Sequence, residues 1–124
     1  MRLDHVNLRT TRLNEMVAWY RDVIGMEEGW RPPFAFPGAW MYAGDSAFVH
    51  LIGVDAEPGS DPQDLKLEHF AFSIDDPEGL SARMAAAGVQ GFERAVPGTD
   101  IVQINLHDPD GNHLHIDYRK SAEL

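Results

Sequence analysis

Apolar residues along the chain follow two spacings in turn, and the alternation occurs twice. Leu3, Val6 and Leu8 lie in a short strand-like run. Leu13, Met16, Val17, Tyr20 and Ile24 then fall at the three-and-four spacing of one helical face, with Gly25 as its stop. Three β-type runs follow: a weak one around Glu27 to Trp30, then Ala39–Tyr42 and Ala47–Ile52, the last preceded by Gly44-Asp45. The second pass begins at Leu67–Phe72. Asp76 and Pro77 read as an N-cap and first helical residue, Leu80, Met84 and Ala87 as the apolar stripe, and Gly88 as the stop. Gly91–Arg94, Ile101–Leu106 and His113–Tyr118 complete it, with Asp108-Pro109-Asp110-Gly111-Asn112 as a strong turn before the last run. The pattern predicts strand, helix and three strands, done twice. Module one covers about residues 1–54 and module two about 65–120, joined by the polar stretch Asp55–Asp64 with its Glu57-Pro58-Gly59-Ser60.

The duplication is legible in the residues as well as in their polarity. Leu3-Asp4-His5-Val6-Asn7-Leu8 is echoed 64 positions later by Leu67-Glu68-His69-Phe70-Ala71-Phe72. His5 and His69 therefore take equivalent places on the first strand of each half, and His50 and His115 equivalent places on the last. The separations match, 45 residues from His5 to His50 and 46 from His69 to His115. Halves related by a pseudo-two-fold axis would bring four imidazoles to one point, as a metal site on rigid strands requires. Strand parity agrees. His113, His115 and Asp117 share one face opposite Leu114, Ile116 and Tyr118, and His5, Asn7 and Arg9 share a face opposite Val6 and Leu8. His107, against the Asp-Pro-Asp-Gly turn, reads as a loop residue, and His113 as a neighbour of the site at its rim.

Composition narrows the function. The 124 residues are 44% hydrophobic and 24% charged, which suits one folded domain over residues 1–124. Ten basic against twenty acidic residues give a net charge of −10 and a pI near 4.8. Phosphate neutralisation needs the opposite sign, so nucleic acid and anionic membrane surfaces are excluded as partners. With no cysteine, a thiolate metal site, a cysteine nucleophile and a disulfide are all impossible, and a metal would take imidazole and carboxylate ligands. The first residues lack the apolar run of a signal peptide and no segment approaches the roughly 18 apolar residues of a membrane span, so a soluble, cytoplasmic protein is expected. No Ser-His-Asp signature or glycine-rich phosphate loop supports acyl transfer or nucleotide binding.

Four segments carry a resemblance to a known superfamily: Leu3-Asp4-His5-Val6, Trp19-Tyr20-Arg21-Asp22-Val23-Ile24-Gly25-Met26, Leu67-Glu68-His69-Phe70-Ala71-Phe72 and Asp108-Pro109-Asp110-Gly111-Asn112. Across essentially its whole length the chain resembles the vicinal-oxygen-chelate proteins, which include glyoxalase I, extradiol dioxygenases, methylmalonyl-CoA epimerase and bleomycin- or fosfomycin-resistance proteins. The resemblance implies an α+β fold of two βαβββ modules forming a metal-containing cleft. It also implies a divalent metal ion (Zn, Ni, Fe, Mn or Co), a small-molecule substrate and a homodimer. The metal ligands would be His5, His50, His69 and His115, with His50 and His115 also the catalytic candidates. The chain departs from the family where Glu is common on the last strand and this sequence has His115, and where glyoxalase-like members carry Glu at the position of His50. A two-His, one-carboxylate iron site would have to recruit Asp117.

Four neutral imidazoles would leave the ion its full double charge, favouring an anionic substrate and acidifying a coordinated water or enol. The base would then be His50, His115 or metal-activated solvent. Trp30, Arg31, Phe34, Phe36, Trp40 and Tyr42 crowd one segment around the Pro32-Pro33 and Pro37-Gly38 turns. As cleft lining, Phe34, Trp40 and Tyr42 would hold a flat or apolar part of the substrate, with Arg31 or Arg9 on a carboxylate and Gln103 as a further binding residue. The bland alternative packs Trp40 or Tyr42 under a helix, and Trp19 and Tyr20 read as core. The expectation is a metal-dependent lyase or isomerase acting on a small chelating carbonyl or hydroxy substrate. The alternatives are an extradiol ring-cleaving dioxygenase and a non-catalytic small-molecule-binding resistance protein.

Overall fold

The computed structural model describes residues 1–61 and 65–120. The chain divides into two compact units, Met1–Ser60 and Asp61–Leu124. Part of the expected polar joint, residues 62–64, lies outside the described residues.

The first unit runs β1 (Val6–Thr10), α1 (Leu13–Trp19), a π turn (Tyr20–Ile24), β2 (Glu27–Gly29), β3 (Gly38–Ala43) and β4 (Ser46–Gly53). Its four strands form a sheet in the order β1-β4-β3-β2, with β1 parallel to β4 and the other pairs antiparallel. The second unit repeats the plan with β5 (Phe70–Ser73), α2 (Pro77–Ala87), β6 (Phe92–Ala95), β7 (Ile101–His107) and β8 (His113–Arg119). Its order is β5-β8-β7-β6, again with the first strand parallel to the last. Each unit is therefore a βαβββ module, and the class is α+β. His5 and His69 immediately precede β1 and β5, one residue short of the strands the sequence places them on. His107 ends β7 instead of lying in a loop, because its backbone pairs with His113.

The helices start and stop for local reasons. Arg12 N–H donates to Thr10 Oγ1 at 2.9 Å at the head of α1. At the head of α2, Gly79 N–H donates to the Asp76 carboxylate at 3.0 Å, and Pro77 occupies the position where a missing N–H costs nothing. Both helical stretches end on a glycine in the left-handed region, Gly25 at φ 87° and Gly88 at φ 67°, where a side chain would be strained. The wider π turn changes the angular step after Tyr20, and Val23, outside the expected stripe, is buried while Ile24 is half-buried. In α2 only Leu80 of the expected stripe is fully buried; Met84 is half-buried and Ala87 exposed.

Strand alternation divides each sheet into two faces. In the first unit Ala39, Met41, Val49 and Leu51 are buried on the side against which α1 packs, along with Met16 and Tyr20. In the second, Val102, Ile104, Leu106, Leu114, Ile116 and Tyr118 form the apolar face. The Asp108–Asn112 turn that launches β8 is held by one buried carboxylate. Asp108 accepts from the backbone N–H of Asp110 (3.0 Å) and Asn112 (2.9 Å) and from the Asn112 side-chain amide (2.9 Å). Asp108→Ala leaves those donors without their acceptor and is expected to cost about 2 kcal/mol in urea unfolding.

Candidate metal centre

The face opposite the apolar core carries candidate histidines in both units, His50 in the first and His113 and His115 in the second. In the second, the register sets Ala71 and Asn105 on either side of His115, and Ser73 and Gln103 on either side of Asp117. His115 is buried at 7% exposure, yet its Nδ1 lies 2.5 Å from Asp117 Oδ1. The two residues are two apart on one strand, so alternation alone brings carboxylate to imidazole. The His69 ring lies 4.5 Å from that of His115, centroid to centroid, with the planes inclined at 44°. Its Nδ1 is bonded by the carboxylate of the preceding residue, Glu68.

The first unit repeats this on one strand and departs from it on another. His5 Nδ1 is bonded to the Asp4 carboxylate at 2.7 Å, as His69 is to Glu68. These bonds hold the carboxyls of Asp4 and Glu68 below their ordinary range, so both stay ionised as acceptors. An ionised carboxylate accepts a hydrogen bond from Nδ1–H, and Nε2 is then the ring nitrogen left to face an ion. His5, His69 and His115 thus share one arrangement, a carboxylate behind the ring and Nε2 in front, which is how metal-ligating histidines are usually supported. His50 differs. Only 8% exposed, it is stacked between His5 (3.9 Å, 8°) and Trp40 (3.9 Å, 13°) and bonded to the backbone of Ala47. Burial, and then the neighbouring His5, push its pKa down, which keeps the ring neutral.

Chemically, then, the donor types fit a divalent ion: imidazoles on or beside strands, each with one ring nitrogen anchored by a carboxylate. The His69 and His115 rings are adjacent with their planes inclined at 44°, whereas the nearly parallel, stacked planes of His5 and His50 do not suit a chelating pair. Glu68, His69 and His113 also lie close, with ligand atoms within 4.8 Å of one another. Their closeness is that of a hydrogen-bonded chain. His113 Nε2 meets Asn105 Oδ1 at 2.8 Å and its Nδ1 faces Glu68 at 3.3 Å, so both ring nitrogens are already engaged. Asp117→Ala, which removes the support behind His115, is expected to weaken divalent-metal binding about 10- to 100-fold by calorimetry.

The aromatic candidates separate. Trp40 and Tyr42 alternate with Ala39 and Met41 and so stand on the face away from α1, which removes the alternative of packing beneath that helix. Trp30 meets Trp40 edge to face at 6.2 Å, and the Tyr42 hydroxyl donates to the Trp30 carbonyl at 2.5 Å. The Phe34 and Phe36 rings stack at 5.0 Å with the Arg31 guanidinium over both, and Arg31 donates to the Phe36 carbonyl at 2.7 Å. Arg31 is thereby held by its own loop. Arg9 projects from the exposed face of β1, and Gln103 lies half-buried on β7. Sequence reasoning named the acids of the Leu-acid-His motifs without a role. Their signal was present, since an acid directly before the histidine occurs in both halves. Asp117 was considered as a ligand, whereas its carboxylate bonds the Nδ1 of His115.

Among the described residues no helix is long and apolar enough to cross a membrane. A manganese-dependent 2,3-dihydroxybiphenyl 1,2-dioxygenase from Geobacillus genomosp. 3 is 38% identical over 78 residues, 60% of this chain; the chain spans only 24% of that relative's length. Two solved structures share the fold. The glyoxylase/bleomycin resistance protein/dioxygenase domain from Frankia sp. EAN1pec superposes with a TM-score of 0.77 at 20% identity, covering 97% of this chain and 93% of its own. The fosfomycin resistance protein FosX from Listeria monocytogenes superposes with a TM-score of 0.70 at 19% identity, covering 100% and 98%. The family model of the Glyoxalase/Bleomycin resistance protein/Dioxygenase superfamily matches residues 2–116, and the chain belongs to that superfamily.

Proposed function

We propose that this chain is a metal-dependent enzyme of the lyase or isomerase type, acting on a small substrate that chelates a divalent ion through carbonyl or hydroxy oxygens. The observation that carries the reading is the carboxylate-backed imidazole, which occurs at His5, at His69 and at His115. Each of those three residues would offer a ring nitrogen to a divalent ion, His5 in the first unit and the neighbouring His69 and His115 in the second. When bound, the ion supplies Lewis-acid polarisation of a substrate oxygen. The residues of this chain do the rest. Asp4, Glu68 and Asp117 fix the tautomer and orientation of the imidazoles. In the first unit Trp40 and Tyr42 offer an apolar wall to a planar group and Arg9 a polar contact, and in the second Gln103 offers a polar contact to a substrate oxygen. Imidazole ligands place no carboxylate on the ion itself, which leaves an anionic substrate oxygen a suitable further ligand.

A second reading, an extradiol ring-cleaving dioxygenase, is favoured by the 78-residue likeness to the manganese-dependent relative. One experiment tests both. Untagged protein is loaded with Mn, Fe, Co, Ni or Zn, desalted and analysed for retained metal, then supplied with a catechol in an oxygen electrode. Retained stoichiometric metal without oxygen uptake supports the first reading, and oxygen uptake selects the second. Protein that retains none of the five metals would sink both and leave a small-molecule-binding role.

A further inference from the structure

We propose that His50 is a positioning residue, a ring wedged between Trp40 and His5 that fixes the plane of His5, and not a metal donor. The inference deepens the metal reading above and rests on it.

Imidazole lone pairs lie in the plane of the ring, and a metal–nitrogen bond of about 2.1 Å must lie close to that plane. The planes of His5 and His50 are inclined by only 8° with their centroids 3.9 Å apart. Planes so nearly parallel do not meet within reach of such a bond, so no single ion can lie in both. Donation by both rings would require the stack to open.

The opposite face of His50 resists that movement. Strand β4 lies between β1 and β3, and His50 is in register with Asn7 on one side and Trp40 on the other. The indole lies parallel to the imidazole at 3.9 Å and 13°, so His50 is walled on both faces, buried, and bonded to the Ala47 backbone. The second unit makes the comparison. At the register position of Trp40 opposite His50 it has Asn105 opposite His115. An amide is not a stacking wall. His115 meets His69 at 44° and is backed by the Asp117 carboxylate. The residues flanking each histidine thus distinguish the equivalent positions: a wedge where the neighbour is Trp40, a donor where it is Asn105.

The test compares metal affinity by calorimetry for wild type, His50→Phe, His50→Ala and His69→Ala, with proton NMR of the histidine rings in metal-free protein. A phenyl ring keeps the wedge and cannot donate, so His50→Phe should bind metal within about threefold of wild type. His50→Ala should bind about 10-fold more weakly, as loss of a ligand's support does. In the metal-free protein the ring protons of His5 should be shifted upfield by the stacked neighbour, and His50→Ala should move them toward the values of an exposed histidine. Loss of metal by His50→Phe as severe as that of His69→Ala overturns the inference and makes His50 a ligand. So does an unmoved His5 signal in His50→Ala, a variant that only removes atoms. Wild-type protein that binds no metal overturns the metal reading instead, and the NMR comparison still decides whether the wedge exists.

Discussion

His69→Ala should lower divalent-metal affinity by more than about 100-fold, with loss of retained metal after desalting. Zinc binding to a four-donor protein site is worth roughly 10–16 kcal/mol, so one donor carries about 3 kcal/mol, or two orders of magnitude. His69 combines features a ligand needs: a ring beside that of His115, an Nδ1 anchored by Glu68, and a place immediately before a strand that is hydrogen-bonded to β8. Far-UV circular dichroism should be unchanged, because the side chain is exposed and stabilises none of the core. Metal retention equal to that of wild type would remove His69 from the site.

Leu114→Ala should destabilise the protein by about 3 kcal/mol and lower Tm by roughly 10 °C, whereas His113→Ala, one position earlier, should change stability by less than about 1 kcal/mol. Leu114 is wholly buried in the apolar face of β8, and its truncation leaves a cavity between β7 and the rest of that face. His113 points to the other face and makes polar contacts with Asn105 and Glu68 that water can replace. The pair measures the strand alternation directly. Equal losses for the two variants would mean that β8 does not present its histidines and its leucines to opposite sides.

Much of this was legible from residue order because the determinants are local. Period-two alternation marked β8, β-type apolar runs marked β4 and β7, and capping chemistry at Asp76, Pro77 and Gly88 bounded α2 to the residue. The doubled Leu-acid-His motif pointed to the imidazoles. Other features were invisible because they depend on cross-strand register. No spacing along the chain says that Trp40 falls opposite His50 while Asn105 falls opposite His115, and it is this difference that separates a stacked ring from a tilted one. Arg31 was a plausible anchor for a substrate carboxylate on residue type alone. The structure turns its guanidinium back onto Phe34, Phe36 and a backbone carbonyl. The π turn after Tyr20 likewise leaves no mark in the apolar spacing, which reads as one continuous helix from Leu13 to Ile24.

The parallel pairing of β1 with β4, and of β5 with β8, has a kinetic consequence. In each unit the opening strand finds its partner only when the closing strand has been made, some forty residues later, so neither sheet can be completed by local hairpins alone. On the ribosome the β2–β4 meander can form early while β1 waits. The imidazoles of His5 and His50 come together in the same event that closes the sheet. Metal competence should therefore arrive with the final step of folding, and a chain stalled before β8 emerges should hold His69 without its neighbour.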